Sequence, residues 1–169
     1  MNALPQVLPP ARVQPRVVLG LTLLALALFF CVSCRTSGPL PPADFSSPGW
    51  GVRTGQAVWR PSKDRPELAG DLLLATNTNG NYVIQFSKTP FTLATAQMAD
   101  GAWRIDFGAG QHSWGGRGVP PARFVWFQLP PVLEGTPPRG AWKFTRNAND
   151  SWRMQNTRTG ETLEGAFFP

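Results

Sequence analysis

Across 169 residues the chain carries seven tryptophans, eleven phenylalanines, two cysteines, one histidine and a formal charge of +6. One histidine cannot supply a metal-ligand constellation, and two cysteines cannot make a disulfide framework. The basic residues are interspersed with acids rather than gathered into a stripe, which excludes a nucleic-acid footprint and leaves a solvated surface with mild attraction to anionic headgroups.

Met1 to Arg16 holds two cations, Arg12 and Arg16, and no acid. Val17 to Ser33 follows as seventeen residues without a charge. A basic start, an apolar run and a small residue at its end are the layout of a secretory signal. The run is marginal as a membrane span, which needs about 20 apolar residues. Its exit, Cys31-Val32-Ser33-Cys34, resembles the bacterial lipobox, with Cys31 where that pattern usually has an aliphatic residue. The resemblance implies cleavage after residue 33, palmitate-type acylation of Cys34 and a stable lipid anchor, since two or more chains hold where one does not. An uncleaved signal anchor is the alternative, and it also tethers the chain. The residue after the cysteine is Arg35 rather than Asp, which by analogy with lipoprotein sorting implies the outer membrane, facing the periplasm.

Residues 34–49 are rich in Pro, Ser and Gly and read as a tether. Residues 50–169 read as one antiparallel β domain. Strands are expected from Arg53 to Arg60, over Leu68–Thr76, and over 81–87 after Asn79-Gly80, a type I′ hairpin signal. Phe91–Met98 and, after Asp100-Gly101, Ala102–Phe107 continue the series. Gly108 to Gly118 reads as a glycine-rich loop, and Pro120-Pro121 as the opening of a short helix interrupted at Pro130-Pro131 and ended near Gly135. Ala141–Arg146, Trp152–Asn156 and Glu161–Phe168 complete the chain. The class is mainly β: a curved antiparallel meander, an incomplete barrel of about eight strands with one short helix as lid.

No catalytic constellation emerges, so no enzyme and no cofactor are expected. His112 and Ser113 are neighbours, so on a strand they point apart, and Gln111 spoils a nucleophile elbow. Glu161 and Glu164, three apart, would face opposite ways. The aromatic rows are more telling. Phe86, Trp103, Ile105, Phe107, Trp126, Trp142, Phe144, Trp152 and Met154 would share one apolar face. They read either as a filled core or as the lining of a cavity for an apolar ligand.

The lipobox, the linker and the meander together resemble the outer-membrane lipoprotein-localisation (Lol) carriers, in particular the pathway's membrane-anchored receptor. The matching stretches are Gly55–Trp59 as first strand, the run Leu68 to Phe107, and Pro121 to Gly135 as a helix ending in an apolar-Gly-x-Pro corner. The resemblance implies a half-barrel that shelters acyl chains of lipoprotein cargo. Two departures accompany it: a shorter domain, and at Ser87-Lys88-Thr89-Pro90 a short connection without an apolar tip, where the receptor has a protruding loop with an exposed Leu. The alternative is a structural or assembly lipoprotein with a solid core that recruits a protein partner.

Overall fold

A computed structural model describes residues 40–108 and 110–169. The leader, Cys34 and the first part of the tether lie outside the described residues. Nine strands form one antiparallel sheet: β1 Trp50–Arg60, β2 Leu68–Asn77, β3 Tyr82–Lys88, β4 Phe91–Ala99, β5 Ala102–Phe107, β6 His112–Arg117, β7 Trp142–Arg146, β8 Trp152–Asn156 and β9 Thr162–Phe167. Their order across the sheet is β6-β5-β4-β3-β2-β1-β9-β8-β7, so β6 and β7 are unpaired edges and the barrel does not close. Among the described residues there is one helix, α1 (Val125–Leu133), which lies between those edge strands in the chain. The mainly β incomplete barrel with one helix is therefore the architecture of this domain.

The alternation read from sequence has a physical counterpart in β8, where Trp152, Met154 and Asn156 are buried and Arg153 and Gln155 are exposed. One inner row runs Phe107, Ala94, Phe86, Leu72, Gly55, Phe167 across six strands. Ala94 and Gly55 interrupt the large side chains along it, which leaves a trough for something to fill. Three glycines mark close approach between strands. A Cβ on Gly55 would lie 2.1 Å from the Ala166 carbonyl oxygen, one on Gly165 2.3 Å from that of Gln56, and one on Gly70 2.3 Å from that of Ser87. Only glycine lets adjacent backbones coil so tightly.

Two expectations are corrected. Residues 112–117 form an edge strand paired with β5, not a loop, because Ile105↔Trp114 and Phe107↔His112 continue the ladder and the glycines sit within it. The turn at Asn79-Gly80 is not type I′. Only Gly80 has positive φ there, and Asn77 Oδ1 accepts from both the Asn79 and Asn81 amides, stabilising a three-residue loop instead. The I′ turn falls at Asp100-Gly101, where both φ angles are positive (50° and 71°). The β3–β4 connection at 89–90 is short, and Phe91, the first residue of β4 beyond it, is 68% exposed.

Candidate functional site

The inner face of the sheet holds the aromatic residues singled out from sequence. Phe86, Trp103, Ile105, Trp126, Trp142, Trp152 and Met154 are buried in one cluster, with Phe107 and Phe144 packed at its margin. All nine are thus brought together. What occupies the trough is α1, whose Val125, Trp126, Phe127, Leu129 and Val132 are buried. Trp126 stacks on Phe86 at 5.5 Å and meets Trp59 edge-on at 5.2 Å, while Phe127 meets Trp103 at 5.6 Å. Trp59 also stacks on Phe107 at 5.8 Å. Each such pair adds about 0.5–1.5 kcal/mol beyond area burial. In this state the helix itself fills the half-barrel, and the cleft at its C-terminal end, lined in part by Leu133, Pro137 and Phe144, amounts to about 260 Å³.

Polar groups tie the helix down at a few points. Pro130 and Pro131 stay inside the helix and withhold two amides. The carbonyl that Pro131 leaves free, that of Phe127, receives the Tyr82 hydroxyl at 3.5 Å. Burial pushes the Tyr82 phenol up to about 12. Gln128, fully buried, donates to the Ala122 carbonyl at 3.3 Å and accepts from the Arg139 amide at 3.0 Å. Trp142 Nε1 donates to the same Ala122 carbonyl at 2.7 Å. The helix ends in a Schellman motif: Thr136 N donates to Pro131 O, Gly135 N donates to Val132 O, and Gly135 has φ +96°.

The cluster is not fully satisfied. The indole N–H groups of Trp126 and Trp152, each in a residue 1% exposed, have no acceptor among the described residues. A buried donor without a partner costs roughly 1–3 kcal/mol. At the rim of the aromatic cluster lies Glu161, whose Oε1 accepts from Trp59 Nε1 at 3.0 Å. Burial raises its carboxyl to about 7, against the lowering effect of that hydrogen bond. Sequence reasoning weighed Glu161 only against Glu164. The structure separates them, since Glu164 pairs with Arg153 at 2.8 Å. The signal that singles out Glu161 is its distance from Trp59 in space, 102 residues away in sequence.

His112 stands exposed on β6, its ring stacked near Trp114 at 6.2 Å. The Ser113 hydroxyl bonds to Asp106, which also takes Arg104 side-on. Burial alone would raise Asp106, but those two partners outweigh it and hold its carboxyl low. On the face opposite the core, a groove of about 760 Å³ is lined by Gln56, Val58, Ala69, Asp71, Arg153 and Glu164, a mixed polar surface. No protein-family profile matches the chain, and no curated protein matches it.

Proposed function

We propose that this chain is a membrane-tethered lipoprotein, lipidated at Cys34 and placed at the outer membrane facing the periplasm. Its half-barrel would shelter acyl chains, of a lipid or of a lipoprotein in transit, on the face α1 now covers. The observation that carries this reading is the kind of cover the trough has. A nine-residue helix containing two prolines, and holding a buried indole donor without an acceptor, covers the inner face of the nine-stranded sheet. Five buried apolar side chains hold the helix in place, at roughly 1.5–3 kcal/mol each. An acyl chain of a dozen or so methylenes, at about 0.8 kcal/mol each, is of comparable worth. Exchange of helix for guest is therefore close to balanced, and a guest carbonyl could also supply the missing acceptor. The exposed Phe91 beside Lys88 at the β3–β4 tip suits contact with a lipid surface.

Full-length protein in phosphatidylcholine vesicles, titrated with a parinaroyl acyl probe, tests the reading through energy transfer from tryptophan. Saturable transfer that unlabelled acyl chains displace is expected. Transfer that rises linearly, as in protein-free vesicles, would count against it. The second reading, a solid-cored lipoprotein that recruits a protein partner, draws on a specific observation too: the nine aromatic-row residues are already packed against one another and α1. It expects no displaceable probe, and a single cross-linked protein partner in the native membrane.

A further inference from the structure

We infer that Glu161 and the Trp59 indole form a head-group subsite at the rim of the half-barrel, one that takes an acyl compound with a proton-donating head (hydroxyl, amide N–H or ammonium) rather than a free carboxylate. The inference rests on the acyl-binding reading and names the class of guest.

The geometry is specific. Glu161 lies in the short β8–β9 connection, its amide bonded to Thr159 Oγ1 at 3.2 Å and its carbonyl accepting from the Asn156 amide at 2.8 Å, so its backbone is held on both sides. One carboxyl oxygen accepts from Trp59 Nε1. The other has no partner among the described residues. Trp59 is the ring through which Phe86, Phe107 and the helix's Trp126 meet, so Glu161 borders the aromatic cluster that α1 now covers. Among the described residues no cation pairs with this carboxylate. Arg60, next to Trp59 on β1, pairs with Glu67; Lys63 meets the 159–160 turn through its backbone amide; and Arg158 makes no side-chain bond to it among the described residues. An acceptor that is half-buried and unanswered by a cation binds a donor well and disfavours a second carboxylate by like-charge repulsion. The raised carboxyl fits the same environment.

Three probes that differ only in their heads test this on full-length protein in phosphatidylcholine vesicles: parinaric acid, its methyl ester and its ethanolamide. Each is corrected for partition into protein-free vesicles. At pH 8.5 the wild type should bind the ethanolamide at least about tenfold more tightly than either the ester or the acid. Glu161→Gln should bind all three saturably with that preference over the acid abolished. Equal affinity of the wild type for amide and ester overturns the assignment, as does an unchanged preference in Glu161→Gln. Should that variant misfold, the wild-type ranking of amide over ester decides alone, because neither probe ionises. Saturable uptake of none of the probes overturns the acyl-binding reading itself, whereas uptake of all three without preference overturns only the head-group subsite.

Discussion

At the scale of single residues, burial sets the behaviour of Glu161. Its folded carboxyl titrates at about 7, above the ordinary value of 4.5, so the fold prefers the protonated form. That preference stabilises the protein fully below pH 4.5 and is lost as pH rises through about 7. The loss amounts to as much as about 3 kcal/mol. Thermal melts of wild type and Glu161→Gln between pH 4 and 8 check it: the wild type should lose stability relative to the variant across that window, and parallel curves would refute the burial argument. Gln128 acts differently, as a neutral group bonded at both ends. Gln128→Leu leaves the Arg139 amide without its acceptor and should cost about 1–3 kcal/mol in denaturant unfolding. Neither residue was legible in the sequence as special. A lone Glu in a turn and a Gln inside an apolar run acquire their roles from partners many residues away.

At the scale of elements, α1 shows how tertiary contact overrides a local rule. Pro130-Pro131 reads as an interruption, and yet the helix runs unbroken to Leu133, because burial of Leu129 and Val132 and the Tyr82 hydroxyl on the freed Phe127 carbonyl offset the missing bonds. The stop was read correctly at Gly135, where a left-handed backbone needs glycine. Gly135→Ala should therefore lower stability by about 1 kcal/mol, measurable as a drop in melting temperature with the sheet intact by circular dichroism. The missed strand, β6, has the opposite cause. His112–Arg117 has two glycines and no β-branched residue, so its propensity is poor. Its six cross-strand pairs with β5 hold it in the sheet, and Trp114 packs on Phe107 and Phe124.

At the scale of the molecule, the curvature depends on places where no side chain fits. Gly165→Val would drive a branched side chain into the Gln56 carbonyl and should cost at least about 1–3 kcal/mol, or prevent folding, whereas Arg153→Ala, on the opposite face, should change stability by less than about 1 kcal/mol. The tether is a separate matter. Cys34→Ala should abolish the acyl mass on the N-terminal peptide and leave the 33-residue leader uncleaved, and an unmodified sulfur in the native protein would sink the lipoprotein reading.

Composition, period and turn residues by themselves determined the class of this domain, the approximate places of eight strands and of the helix, and which aromatic rows share a face. These are local properties, carried by alternation of side chains and by glycine and proline. Only the tertiary structure decided that the trough is filled by α1, that Trp126 lacks an acceptor and that Glu161 stands beside Trp59. The reason is that occupancy and hydrogen-bond satisfaction depend on which surfaces meet when strands far apart in sequence curl around one helix, and no periodicity along the chain encodes that meeting.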